Sequence, residues 1–104
     1  MVSYNHVILT GKVAKAPLRH YRPDGSPVIQ FPLELNHQEA SEQEKKSRID
    51  IVAIGKLAES EPSLFQSGQH LLVEGRLQQR RWKTADGRDL SRVEVIATDF
   101  RKVE

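Results

Sequence analysis

The chain contains no cysteine, and a single tryptophan and a single methionine, among 104 residues. Without cysteine there can be no disulfide, no thiolate nucleophile and no cysteine-type zinc site, which suits a cytoplasmic protein. No stretch approaches the roughly 20 apolar residues that a membrane helix needs. The opening Met1-Val2-Ser3-Tyr4-Asn5 has neither the basic stretch nor the apolar run of a signal peptide, so no membrane partner is expected. A one-sided charge is missing as well: 16 Lys and Arg against 14 Asp and Glu leave a net +2. What is present, 38% hydrophobic and 29% charged residues, suffices for one small domain over residues 1–104.

Catalytic signatures are also lacking. His6, His20, His37 and His70 have no metal-ligand spacing, and the first three read as exposed. No nucleophile elbow, phosphate loop or dinucleotide fingerprint occurs. Asp86 belongs to a turn, and Asp50 lies alone within a strand. No catalytic residue, metal or cofactor is expected.

Charge is nevertheless unevenly placed. Lys12, Lys15, Arg19 and Arg22 follow one another without an acid. From Arg76 to Arg92 six cations (Arg76, Arg80, Arg81, Lys83, Arg88, Arg92) stand against Asp86 and Asp89. Acids gather elsewhere, at Glu39, Glu42, Glu44, Glu59 and Glu61. A nearly neutral chain with two basic segments has a directional surface, the electrostatic footprint of a nucleic-acid binder.

Period-two alternation dominates the chain. Val7, Leu9, Gly11 and Val13 mark one face of a first strand. Arg22-Pro23-Asp24-Gly25-Ser26-Pro27 forms a turn. Ile29, Phe31, Leu33 and Leu35 line a second strand, in which Pro32 predicts a sheet edge or a bulge. Residues 36–47 are polar and read as an exposed loop. Ile49, Ile51 and Ala53 mark a third strand, and residues 56–65 a short helix limited by Pro62. Leu71, Val73, Gly75 and Leu77 line a fourth strand. The turn Thr84-Ala85-Asp86-Gly87 leads to a fifth at Val93, Val95 and Ala97. Phe31, Phe65 and Phe100 are assigned to the core. Five strands with a helix between the third and fourth predict an all-β OB-fold, a five-stranded Greek-key barrel. Gly11 and Gly75 suit its sharp bends.

The sharpest local feature is Arg80-Arg81-Trp82-Lys83. A tryptophan commonly covers a core, but parity places Trp82 with Arg76, Gln78 and Arg80, opposite the Leu71/Val73/Leu77 face. An indole among cations near a hairpin tip suits stacking on an unpaired base. Lys12, Lys15 and Arg19, with Tyr21 as a second ring, form a further candidate, equally readable as a solubilising surface. Arg48 follows Lys45 and Lys46 beside glutamates and carries an ambiguous sign.

Asn5-His6-Val7-Ile8-Leu9-Thr10-Gly11-Lys12-Val13, then Ala16-Pro17-Leu18-Arg19, Gly55-Lys56-Leu57-Ala58-Glu59, Val73-Glu74-Gly75-Arg76-Leu77 and Arg81-Trp82, occur in this order. The set resembles bacterial single-stranded-DNA-binding proteins and their short relatives over essentially the whole chain. Its compact length, the Ala14–Arg19 stretch and an ending at Arg101-Lys102-Val103-Glu104, without a glycine-rich linker and acidic tip, make it most similar to the primosomal replication protein N (PriB) branch. That resemblance implies a homodimeric OB-fold accessory factor of replication restart, binding single-stranded DNA, the helicase PriA and the loader protein DnaT. It places Arg81, Lys83 and Arg92 in a basic hairpin, with Arg80 and Arg88 as additional candidates and Lys15 before the Ala-Pro-Leu-Arg motif. It also implies dimer pairing along the first strand through Val7 and Leu9. Family aromatics around the second loop have no counterpart between Ser41 and Ile49, which shifts the expected stacking to Trp82. Two other readings stand beside this one. The domain could dock an acidic protein, or act as a tail-less tetrameric single-stranded-DNA-binding protein.

Overall fold

The structure is a computed structural model that describes residues 3–35, 47–59 and 65–103. Six strands form: β1 (Val7–Val13), β2 (Leu18–Tyr21), β3 (Pro27–Leu35), β4 (Ser47–Ile54), β5 (His70–Lys83) and β6 (Asp89–Lys102). β1 pairs with β5, β5 with β6, β6 in parallel with β4, β4 with β3, and β3 again with β1. Those five close a ring, the expected OB-fold barrel. β2 lies outside it and pairs with β3. All four residues of β2 are exposed, so no apolar alternation announces it, and the sequence pattern assigns residues 18–21 to no strand.

The segment after β4 begins with a 3₁₀ turn, Gly55–Glu59, rather than a regular helix. Gly55 breaks the extended strand with φ +73°, and five residues are too few for a regular α-helix. Residues 60–64 of the expected helix, and the expected loop apart from Ser47, lie outside the described residues. Ala58 and Phe65 enter the core, with Leu57 packed against it. Among the described residues, no helix is long and apolar enough to cross a membrane.

Pro32 occupies neither a free edge nor a bulge. β3 pairs with β2 through residues 27–30 and with β1 through residues 33–35, and Pro32 falls at the handover. Its carbonyl accepts from Ala14 N–H at 3.0 Å on that side, so the missing N–H costs no ladder bond with β4.

Barrel closure demands backbone-to-backbone approach at two glycines. A Cβ on Gly11 would strike the Glu34 carbonyl oxygen, and one on Gly75 the Ile96 carbonyl oxygen. Beside Gly75, Thr98 is the extra residue of a β-bulge, and its hydroxyl donates to the Glu74 carbonyl at 3.1 Å. The bulge shifts parity along β6. Val95, Ala97 and Phe100 therefore all face inward. Phe100 meets Phe65 edge-on at 5.2 Å between centroids, and Phe31 completes the cluster at 5.8 and 6.0 Å.

Leu77 and Val93 depart from their expected burial: they are 44% and 51% exposed. β5 and β6, each 14 residues long, outrun the barrel rim, and beyond it the inward face has nothing to pack on. The arm ends in the turn Thr84–Gly87, with Gly87 at φ +87° and its N–H donating to the Thr84 carbonyl at 3.0 Å. The Thr84 hydroxyl donates to Asp86 and accepts from Arg88 N–H at 3.1 Å. Asp86 is thereby held below the usual carboxylate range, first by the Thr84 hydrogen bond.

Replacing Gly75 by alanine should destabilise the protein by roughly 1–3 kcal/mol, read from the denaturant midpoint, because backbone must move to admit the methyl group. The arm turn should respond to acid. A lowered carboxyl pKa contributes while the group is ionised, so its contribution is complete above the ordinary value. It is lost as pH falls below about 4 through the lowered value. Amide shifts of Thr84 and Gly87 followed by NMR should move in that window, and Asp86→Asn should abolish the movement.

Candidate nucleic-acid interface

Alternation along the arm sorts its side chains onto two faces. On β5, Arg76, Gln78, Arg80 and Trp82 share the outer face. Cross-strand register adds Ile96, Glu94, Arg92 and Leu90 opposite them. β4 extends this face with Asp50 and Val52 beside Glu94 and Ile96, and with Arg48 by alternation. Gln79, Arg81 and Lys83 take the other face.

Trp82 is outside the core cluster and 37% exposed, with Leu90 opposite. The Arg80 guanidinium carbon lies 4.9 Å from the indole centroid, within cation–π range. A groove of about 600 Å³ at the arm tip is lined mostly from the other face, by Gln79, Arg81, Lys83, Asp89 and Ser91, together with Trp82 and Leu90.

Three cations of the outer face are matched by carboxylates. Arg80 Nε lies 3.5 Å from Glu94, Arg92 3.1 Å from Asp50 and Arg48 3.6 Å from Glu34. At the tip, Lys83 is 3.9 Å from Asp89 and Arg88 is 3.0 Å from Asp86. The two tip pairs are exposed on both sides and contribute about 0–1 kcal/mol, so a phosphate can replace those carboxylates at little cost. Among the described residues, neither Arg76 nor Arg81 is within ion-pair distance of a carboxylate. Arg81 donates to Gln79 at 3.2 Å.

The first basic segment lies elsewhere. Lys12 is opposite His70 at the start of β5, twelve residues before Trp82, about 40 Å of strand path. Lys15 is exposed, Arg19 on β2 approaches the Ala58 carbonyl at 3.5 Å, and Tyr21 is 74% exposed. The expected residues thus fall in two regions: Arg48, Arg80, Arg81, Trp82, Lys83, Arg88 and Arg92 on or beside the arm, and Lys12, Lys15, Arg19 and Tyr21 away from it.

At β1, the side chains of Val7 and Leu9 pack against the core. Their backbone pairs with β5 along residues 7–12, while β3 takes the other edge along residues 11–13. Among the described residues, that edge is open from Val7 to Thr10, and Ile8 is 58% exposed beside it. The Asn5 side-chain amide extends the ladder to the arm's base: it donates to the Leu77 carbonyl and accepts from the Leu77 N–H, both at 2.8 Å.

Sequence reasoning did not single out Glu94, Glu34 or the Asn5 amide. The register follows from the connection: five residues, 84–88, set Lys83 against Asp89, and so Arg80 against Arg92 and Gln78 against Glu94. Among the described residues, no group of three or more His, Asp or Glu could hold a metal ion.

Comparison with known proteins agrees with the fold. A Plasmodium falciparum SSB complex with ssDNA superposes with a TM-score of 0.85, covering 100% of this chain and 98% of that one at 22% identity. The single-stranded DNA-binding protein of Aquifex aeolicus is 36% identical over 103 residues, covering 95% of this chain and 69% of its own length. That of Thermotoga maritima is 30% identical over 105 residues, with 97% and 74% covered. The profile of the single-strand binding protein family matches residues 4–103, nearly every residue of the barrel and its arm. This chain belongs to the single-strand binding protein family.

Proposed function

We propose that the protein binds single-stranded DNA without sequence preference, with Trp82 stacking on a base and the arm's arginines meeting phosphates. The observation that carries this reading is the indole itself, held outside the core on a protruding arm with the Arg80 guanidinium against its ring. An unpaired base offers a π-face whatever its identity, whereas a duplex hides it, so stacking selects strandedness rather than sequence. Arg76 and Arg81 are the first phosphate partners, and Arg92 joins by exchanging the half-buried Asp50 for a phosphate. Lys12, Lys15, Arg19 and Tyr21 provide a second surface for a longer strand that passes around the barrel.

The open β1 edge from Val7 to Thr10 supports pairing with a second copy. An unpaired edge beside an exposed Ile8 is otherwise a site of uncontrolled association. The narrower role, a primosome adaptor meeting PriA and DnaT, rests on the Ala14–Arg19 resemblance. The Aquifex aeolicus and Thermotoga maritima relatives carry the name of single-stranded DNA-binding proteins.

As the only tryptophan, Trp82 reports on its own site. Titration with an unlabelled oligothymidine of about 30 nucleotides should quench its emission, and duplex should not. Trp82→Ala should weaken binding by about 1–3 kcal/mol. Arg81→Ala should flatten a salt slope of about −3, expected for roughly four neutralised phosphates, by about 0.7. Salt-sensitive binding without quenching would limit the arm to phosphate contact. No binding at low salt would reject the reading in favour of docking to an acidic protein. Light scattering should give a multiple of the 11.8 kDa chain mass, two copies for the adaptor branch and four for a tetrameric single-stranded-DNA-binding protein. A monomer would refute pairing at β1.

A further inference from the structure

Glu94 is the one buried charged side chain among the described residues, at 4% exposure, and the base-stacking scheme gives it no part. It lies on the outer face of β6, directly opposite Gln78 and beside Asp50 of β4. Within this face two arginines, Arg80 and Arg92, stand directly opposite each other, an arrangement that repels. The carboxylates resolve it by sharing the two cations: Asp50 takes Arg92 at 3.1 Å and Glu94 takes Arg80 at 3.5 Å. Among the described residues, Arg80 is the ion-pair partner of Glu94.

Burial makes the two pairs unequal. Asp50 is 26% exposed at its side chain and can be rehydrated when Arg92 turns to a phosphate, whereas the Glu94 side chain is 6% exposed. A buried carboxylate stripped of its cation carries a heavy desolvation cost, so Arg80 remains with Glu94 when DNA arrives. The same guanidinium covers one face of Trp82 at 4.9 Å. Arg80 thus serves less as a hook for phosphate than as a plate behind the indole.

We propose that Glu94 is a positioning residue of the single-strand site: by anchoring Arg80 it fixes the Trp82 ring and leaves one face presented to a base. The proposal rests on the single-strand reading above. It makes a prediction opposite in sign to simple electrostatics. Removing an anion from a DNA-binding face should strengthen attraction for phosphates, yet loss of this anion should weaken stacking.

The test is Glu94→Gln beside the unaltered protein and Trp82→Ala at low and high salt, with affinities read from the anisotropy of a labelled oligothymidine and the quench from Trp82 where it is present. The expected result is a smaller maximal quench of Trp82, lower fluorescence anisotropy of the free protein, and an affinity reduced about threefold at high salt, where phosphate attraction is screened. Arg80→Lys keeps the charge but loses the flat guanidinium, and should reproduce these changes. Because Arg80 is half exposed, this variant also serves if Glu94→Gln fails to fold. Equal or tighter binding with unchanged quench in Glu94→Gln, or in Arg80→Lys where the first variant is unfolded, overturns the positioning role. If Trp82→Ala itself leaves affinity unchanged at every salt concentration, the stacking reading fails and the proposal fails with it. If Trp82→Ala weakens binding and the other two variants do not, only the positioning role is lost.

Discussion

The antiparallel pairing of β5 with β6 carries two structural loads at once. Over its first half it forms one wall of the closed ring, with Leu71 and Val73 facing Phe100 and its neighbours. Over its second half it leaves the ring and becomes the arm that bears Trp82. Both halves share one ladder, so the register fixed at the tip turn determines which side chains face the core and which face outward. A slip of one residue would exchange the two sets. The turn Thr84–Gly87 resists that slip through Gly87 at positive φ and the Thr84 hydroxyl network.

The bulge at Thr98 reconciles the two halves. Uninterrupted alternation on β6 would set Val95 and Ala97 inward but turn Phe100 to solvent. One extra residue restores Phe100 to the aromatic cluster with Phe31 and Phe65. It falls where Gly75 lets β5 approach β6 most closely, so bend, bulge and missing side chain coincide at one place in the wall. The outer face of the arm is thereby rigidly referenced to the core, which a stacking platform needs in order to hold an indole at fixed orientation.

Much of this was legible in the residues. The ring strands β1, β3, β4, β5 and β6 announce themselves by alternating apolar residues because each has one buried face, and both glycines needed for closure could be named from their place in those strands. β2 was not legible, since a strand exposed at all four residues leaves no hydrophobic period. Leu77 and Val93 misled for a related reason: their parity is correct, but parity reports the face and not whether anything covers it. At the site, the outward parity of Trp82 could be read directly. Its carboxylate partners could not, because Asp50 and Glu94 are 44 residues apart in sequence and become neighbours only through the parallel β4–β6 pairing.

That pairing also accounts for the near-neutral composition of a chain whose arm is rich in arginine. A row of unopposed guanidinium groups across β4, β5 and β6 would repel within the sheet and destabilise the strands that carry it. Interleaving Glu34, Asp50 and Glu94 removes the repulsion in the free protein. An intramolecular carboxylate then does in part what a condensed counterion does elsewhere, and it is displaced without being released to solution. Arginines that exchange a carboxylate for a phosphate add less to the salt dependence than those with no ion pair among the described residues, such as Arg76 and Arg81. Net charge is consequently a poor guide to this surface. The relevant quantity is how deeply each carboxylate is buried, because burial decides which arginines are free to leave and which must stay.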